Sequence, residues 1–351
     1  MPENAIEVKN LAVSLGGKQI LQDVSFEVEE GRCLALLGPS GSGKTTILRT
    51  VAGFVRPDAG TIDMFGSAMA GMPPERRPVS MLFQKPPLFD ERTVEENALF
   101  GLLRREPLLK ARQRVKQLAE IFDLEQFLKQ AVRTLSGGER QRAAFIRAFA
   151  NAKQIMLLDE PIHSAFDLHQ RRVLLAALKE CARKENLTTI LVTHDYDEAA
   201  YLAEMVIVLT NGKSSRNTLR EMYEAPSNLN VARILGYGNQ VEAQVVLDRD
   251  RLAQECPVTI SGTVKRCQSA AWAFFRPESV EVIEGGMGFT VMSVIFGGVF
   301  SRVVLRTQYG NGLIEAVVRE GATFSVDEVV GASIAADRIM FFERDGRRAS
   351  E

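Results

Sequence analysis

The pattern of apolar and polar positions divides the chain into two stretches of different character. Over residues 1–235, short β-rich runs alternate with helical patterns. Val24–Val28, Cys33–Leu37, Val79–Phe83, Ile155–Asp159, Thr189–Thr193 and Met205–Leu209 read as strands. The runs at 33, 155 and 189 are apolar almost throughout, as expected of strands covered on both faces of a largely parallel sheet. Lys44–Ala52, Glu139–Ala150 and Leu168–Lys184 read as helices, and Leu174, Leu178 and Cys181 share one face of the last. A further helical block, about 94–131, lies between the strand at 79 and the helix at 139. Asn211-Gly212 marks a turn and precedes an amphipathic segment, Leu219–Leu235.

Beyond Gly236 the pattern changes to short β runs between Gly and Asp turns. Ala243–Leu247, Ala271–Phe275, Phe289–Met292, Arg302–Arg306 and Ile314–Val318 predict a small all-β barrel or sandwich over 240–345. A length of 351 residues exceeds one ordinary core, which agrees with two domains.

Composition adds mainly exclusions. With 46% hydrophobic and 25% charged residues the chain has the make-up of a soluble globular protein. A net charge of −1 gives no electrostatic reason to expect nucleic acid or an anionic membrane as partner. The four cysteines (33, 181, 256 and 267) stand far apart, without metal-site spacing, as for reduced thiols in the cytoplasm. No stretch approaches the roughly 20 apolar residues that span a bilayer. Met1–Asn10 lacks the apolar core of a signal peptide, so work at a membrane is expected to go through another chain.

The strongest chemical signal is Gly38-Pro39-Ser40-Gly41-Ser42-Gly43-Lys44-Thr45, a complete P-loop between an apolar strand and a helix. Its glycines let backbone N–H groups curl around phosphate oxygens, and the following helix, with Thr46 in its first turn, aims its positive end there. Lys44 is expected to reach the β- and γ-phosphates of ATP, and Thr45 to ligate Mg²⁺. Asp159 and Glu160 end a buried strand. Asp159 suits a Mg²⁺ ligand and Glu160 a base for the attacking water. Leu135-Ser136-Gly137-Gly138-Glu139-Arg140-Gln141 is a second helix-start anion site, which suggests a composite site.

On these motifs the chain resembles the ABC ATPase family, in which LSGGxRQ is the signature and completes the site of a facing subunit. The resemblance implies an α/β P-loop core with an inserted helical subdomain, about 94–140, and two copies clamping two ATP molecules. It makes Gln84 the Q-loop residue, sensing Mg²⁺ and water, and His194 the switch histidine at the γ-phosphate. Arg276-Pro277-Glu278 and Met222-Tyr223-Glu224-Ala225-Pro226 resemble importer ATPases for sugars, sulfate, polyamines or ferric iron. Those carry a carboxy-terminal OB-like regulatory domain, expected here at 240–345.

The expected function is therefore an ATP-hydrolysing subunit, peripheral on the cytoplasmic membrane face, that energises solute import. Its expected partners are a second copy, membrane permease chains and a solute-binding protein. The alternative is a nucleotide-binding regulator or soluble ABC ATPase with weak turnover. Separate-chain exporters form a further class.

Three departures from the family pattern stand out. Leu15 occupies the position where relatives stack an aromatic on adenine. Leu88-Phe89-Asp90-Glu91 stands where relatives commonly have Pro-His after Leu-Phe. One extra residue, at Ile162-His163, separates Glu160-Pro161 from Ser164-Ala165-Phe166-Asp167. That residue either alters contact with the facing subunit or bulges toward solvent.

Overall fold

Alternate residues of the first two strands, β1 (Asn4–Leu15) and β2 (Lys18–Glu29), are apolar and buried, Leu21, Val24, Phe26 and Val28 among them. The two strands pair antiparallel across a Gly16-Gly17 turn in which both glycines have positive φ, 58° and 80°. The computed structural model describes residues 4–162, 168–210, 213–236, 238–264, 269–308, 312–319 and 324–349.

These residues divide into two compact units, Met1–Leu219 and Arg220–Glu351. In the first, β3 (Cys33–Leu37) enters the Gly-rich loop and α1 (Lys44–Ala52) leaves it. β4 (Ala59–Met64) and β5 (Ser67–Ala68) return to the hairpin, giving the order β2-β1-β4-β5. After β6 (Val79–Leu82) comes the helical block: α2 (Val94–Leu99), α3 (Leu108–Ile121) and α4 (Gly137–Ala150). Phe122, at the end of α3, meets Phe145 and Phe149 of α4 at 5.4 and 5.8 Å between ring centres.

β7 (Ile155–Asp159), α5 (Leu168–Lys184), β8 (Thr188–Val192), α6 (Tyr196–Leu202), β9 (Met205–Thr210) and β10 (Lys213–Asn217) complete the unit. The central sheet runs β10-β9-β3-β8-β7-β6, parallel except for β10 against β9. All residues of β7 and β8 are buried, so the apolar runs mark the centre of the sheet. One face packs on α1 and the hairpin sheet in a single cluster containing Leu34, Leu36, Ile155, Leu157, Ile190 and Val192.

The second unit starts with α7 (Leu219–Glu224) and α8 (Leu229–Ile234), ahead of the sequence boundary at 235. Leu229 and Ala232 cluster with Phe274, Met340 and Phe342, which explains why the amphipathic segment belongs here. Buried Arg276 donates to the carbonyls of Ala232 (2.9 Å) and Gly236 (3.1 Å), and its guanidinium lies over the Tyr223 ring. The tyrosine hydroxyl in turn donates to Glu278.

β11 (Asn239–Glu242) is followed by α9 (Ala243–Leu247) and α10 (Arg249–Glu255). The expected strand at 243–247 is thus a helical turn. Ala243, Val246 and Leu247 stand at i, i+3 and i+4 and present one apolar side, which a five-residue run cannot distinguish from strand alternation. The rest is β: β12 (Val258–Ser261), β13 (Trp272–Phe275), β14 (Val280–Ile283), β15 (Phe289–Phe296), β16 (Phe300–Thr307), β17 (Leu313–Arg319), β18 (Val329–Ala335) and β19 (Met340–Phe342). One sheet runs β11-β13-β19; the other runs β12-β18-β15-β16-β17, with β14 also on β18. This β-rich unit has its own core, consistent with an OB-like domain.

The boundary is testable by truncation. A chain ending after Leu219 is expected to stay soluble and unfold cooperatively. A chain ending after Gly236 leaves Leu229 and Ala232 without Phe274 and Phe342, each lost leucine-sized burial being worth about 1.5–3 kcal/mol. It is expected to bind more hydrophobic dye and aggregate at lower concentration; the reverse ranking would place the segment in the first unit.

Candidate functional site

The carboxyl ends of β3, β7 and β8 lie side by side, and each delivers polar residues to the same rim. Beyond β3, Gly38 has φ 153° and its missing Cβ would fall 2.5 Å from the Leu209 carbonyl oxygen and 2.8 Å from Ser42 Oγ. Gly43 has φ 102° and a Cβ there would strike Leu21. Glycine is therefore required for the curl itself. Ser42 N–H donates to the Pro39 carbonyl (3.2 Å), closing the turn. Ser40 and Gly41 are exposed at its crest. Thr46 lies in α1, its carbonyl accepting from Thr50 Oγ1 at 2.7 Å.

Lys44, buried at the start of α1, folds its ammonium onto the Gly38 and Pro39 carbonyls at 2.7 and 3.0 Å. Burial pulls the ammonium below the usual lysine range, while Glu160 and Asp159 oppose that pull. Thr45 Oγ1 donates to Asp159 Oδ1 at 3.0 Å. Burial pushes the Asp159 carboxyl above its usual range, against the Thr45 hydrogen bond, and the neighbouring Glu160 charge adds to the rise.

Glu160 follows with φ 45°, a left-handed conformation unusual for a residue with a Cβ. Its N–H is held by the Val192 carbonyl at 2.9 Å. Such strain costs of order 1–3 kcal/mol and persists where neighbours over-determine it. The turn brings its carboxylate between two other sequence candidates. Gln84 Nε2 donates to Glu160 Oε2 at 2.8 Å, and His194 Nδ1 stands 3.6 Å from Oε1.

His194 itself is exposed, so its placement rests on its neighbours. Asp195 caps α6 by accepting from Glu198 N–H at 3.0 Å. Thr193 Oγ1 donates to Glu198 (2.7 Å) and accepts from Asp195 N–H (3.0 Å). Arg171 of α5 donates to Asp195 at 2.6 Å and to Glu198 at 3.1 Å. Burial raises Glu198. Burial is also the largest single effect on Asp195, but the hydrogen bond and charge of Arg171 together with the backbone N–H groups of α6 outweigh it and lower the carboxyl. Sequence reasoning passed over this bracket, although Asp195 with Glu198 three residues on is a helix-start pattern.

The Ser136 turn stands apart from this rim. Ser136 Oγ accepts from Glu139 N–H (3.4 Å), and Glu139 accepts from Ser136 N–H (2.8 Å), a reciprocal cap. Ser136 and Gly137 are exposed, and a Cβ at Gly137 would meet nothing within 4 Å. No hydrogen bond joins Ser136, Gly137, Gly138 or Glu139 to the Gly-rich loop among the described residues. The link from α4 to the rim is Gln141, whose buried amide donates to the Pro161 carbonyl at 2.7 Å. Gln141 belongs to the signature run but carried no assigned role in the sequence reading.

Two of the departures acquire a geometry. Leu15 is 44% exposed at the hairpin end, paired with Lys18. Asp90 pairs with Arg140 of α4 at 2.5 Å and Glu91 with Arg133 at 3.2 Å. The Leu88–Glu91 segment thus engages the helical block. The insertion at Ile162-His163 is placed only in part: Ile162 is buried, and 163–167 lie outside the described residues.

Oxygen ligands around Thr45 and Asp159, with the Gln84 amide nearby, suit a hard cation such as Mg²⁺. Ser42 Oγ, buried and without a hydrogen-bond partner among the described residues, and the Cβ-free cradle at Gly38 suit a bound phosphate.

The ABC transporter family model matches residues 21–163. A spermidine/putrescine import ATP-binding protein of Legionella pneumophila (strain Lens) is 34% identical over 327 residues, 88% of each chain. An Fe(3+) ions import ATP-binding protein of Rhodococcus jostii is 38% identical over 329 residues, covering 91% of this chain and 93% of that one. Among solved structures, the ADP conformation of an ATP-binding cassette of an ABC transporter aligns with TM-score 0.58 at 22% identity. It covers 66% of this chain and 98% of that one, a likeness of fold. An ATP-binding subunit of an ABC transporter aligns at 0.57 with 26% identity, covering 62% and 92%.

The electrostatics of Asp159 generate a stability prediction. Its folded pKa is raised, so the stability linked to its protonated form is full at low pH and is lost as pH rises through the folded value. Asp159→Asn removes that loss while keeping an oxygen to accept from Thr45. The variant is expected to melt above the parent at neutral pH, the gap closing toward pH 4 in calorimetry. A gap that is absent, or widest in acid, contradicts the assigned direction.

Proposed function

The chain belongs to the ABC transporter family, and on that premise we propose that it is the ATP-hydrolysing subunit energising solute import through separate membrane chains. The observation that carries the reading is the convergence of Gln84 and His194 on the Glu160 carboxylate, beside the Thr45–Asp159 bond and the Gly-rich loop.

In this reading the phosphates of ATP lie on the backbone N–H groups of 38–45 and at the positive end of α1. Lys44 exchanges its carbonyl partners for phosphate oxygens, and Ser42 supplies a further contact. Mg²⁺, held by Thr45, Asp159 and Gln84, would neutralise charge on the β- and γ-phosphates. Glu160 orients the attacking water and takes its proton, and His194 contacts the γ-phosphate. The exposed Ser136 turn completes the site of a second copy, in keeping with its exposure and with the absence of a hydrogen bond to its own loop among the described residues. The homodimer sandwiches ATP head to tail.

The membrane partner is expected at a groove of about 560 Å³ beside the Gln84 segment, lined by Phe54, Phe83, Pro86, Leu88 and Phe100. No helix among the described residues is long and apolar enough to cross a membrane. In this reading the chain sits on the permease chains at the cytoplasmic face. A solute-binding protein belongs to the same system. Relatives named for polyamine and for ferric iron import are similar at 34% and 38% identity, so likeness of the cassette does not select the solute.

Glu160→Gln is expected to lower ATP turnover by about 10²–10⁴-fold while ATP binding persists, and to accumulate an ATP-bound dimer in size-exclusion chromatography. Lys44→Ala is expected to weaken binding itself. Normal turnover in Glu160→Gln overturns the assignment of the base. Leu15→Tyr is expected to tighten ATP by up to about 1 kcal/mol and sharpen preference over GTP, since ring stacking replaces an aliphatic contact. Unchanged affinity and base preference in titration calorimetry would assign the adenine contact elsewhere.

A further inference from the structure

The opposite edge of the central sheet holds a second cavity, of about 280 Å³, between the sheet and α5. Its position follows from strand alternation. Thr188 and Thr189 begin β8 and point to opposite faces. Thr188 Oγ1 accepts from Gly31 N–H at 3.0 Å. Thr189 faces the cavity, is 4% exposed, and its Oγ1 has no hydrogen-bond partner among the described residues. A buried hydroxyl left unpaired is costly, so a partner is expected to enter from the cavity.

The rest of the wall is divided by chemistry. Phe149, Leu158, Leu178 and Leu202 make the interior apolar. Arg32, Lys179 and Arg183 stand at the mouth, all exposed. Glu204 is the one carboxylate among the lining residues, and it accepts from Cys33 N–H at 2.8 Å. Lys179 donates to the Tyr201 carbonyl at 2.6 Å and Arg32 stands 3.9 Å from Glu29, so Arg183 is the cation best placed for an incoming group.

We propose that this cavity is a regulatory site for a small aromatic carboxylate, its ring between α5 and the sheet and its polar end shared by the Thr189 hydroxyl and the cationic mouth. The size limits the ligand to one or two rings, below the range of most drug-sized pockets. The link to turnover is α5. Its carboxyl-terminal half lines the cavity through Leu178 and Ala182, and its first turns carry Arg171, hydrogen-bonded to Asp195 beside His194. A ligand wedged under one end of this helix acts on the bracket at the other. The site lies apart from the Gly-rich loop, so its effect is on the rate of hydrolysis rather than on ATP affinity.

The test uses the full chain and 1-naphthoate as probe, followed by titration calorimetry and by ATP turnover at saturating ATP. Saturable one-to-one binding is expected, with 1-naphthalenemethanol weaker because it lacks the charge. Thr189→Val, nearly isosteric, is expected to melt no lower than the parent yet to bind naphthoate about tenfold or more weakly. Arg183→Gln is expected to weaken it about threefold, the loss shrinking with salt. Ala182→Leu, which fills the cavity from α5, is expected to abolish binding and is a second handle should the valine variant not fold. Naphthoate is expected to change the parent's turnover at least twofold and that of Ala182→Leu not at all. Absence of saturable binding, or binding that survives both Thr189→Val and Ala182→Leu, overturns the site. Saturable binding with unchanged turnover overturns its regulatory role.

Discussion

Parallel pairing of β3, β8, β7 and β6 sets the positions of the polar groups that gather at the rim. Parallel strands share one polarity, so their carboxyl ends lie along one edge. The residue after each strand emerges beside its neighbour however far apart the two stand in sequence. Leu37 leads to the Gly-rich loop, Asp159 closes β7, and Val192 leads through Thr193 to His194. The backbone bond from Glu160 N–H to the Val192 carbonyl extends that pairing one residue beyond β7 and holds the left-handed turn of Glu160. A slip of one residue between β7 and β8 would turn Asp159 to the opposite face and dissolve the Thr45 contact.

That geometry places charge where water is scarce. Lys44 and Asp159 are both buried, and burial dominates both of their shifts, in opposite directions. Each group is therefore held in an environment that disfavours its own charge until an ionic ligand arrives. Phosphate oxygens favour the charged lysine and a divalent cation favours the charged aspartate. The fold thus carries a local electrostatic cost whose relief is linked to nucleotide binding, as is common where rigid elements deliver polar groups to a functional rim.

The supports are less visible than the groups at the rim but follow the same logic. His194 is exposed and contributes little to its own placement. The Thr193–Glu198–Arg171–Asp195 bracket holds the backbone on both sides of it. Gln141 does the same for Pro161 from the α4 side, tying the helix of the Ser136 turn to the segment after Glu160. Asp90 and Arg140 form a second tie between α4 and the residues after Gln84. The exposed Asp90–Arg140 pair is worth little in stability, so its effect lies in register between parts rather than in holding the fold together.

Much of this was legible in the residues. The P-loop run, the apolar runs at 33, 155 and 189, and the helices at 44–52 and 168–184 are local patterns, and local patterns survive folding because burial and backbone geometry act on neighbours in sequence. Ala243–Leu247 was not legible, since five residues are too few to separate a helical period from a strand period. The boundary before residue 220 was not legible either, because the partners of Leu229 and Ala232 are Phe274 and Phe342, far along the chain. The sequence by itself determined which residues can curl round a phosphate, hold a cation or take a proton, because those capacities belong to side-chain chemistry and short-range spacing. Only the tertiary structure decided that Gln84 and His194 meet on Glu160, that Arg171 braces Asp195, and that Thr189 faces a cavity. Each of those depends on strand register and helix packing, which bring together residues that no local pattern relates.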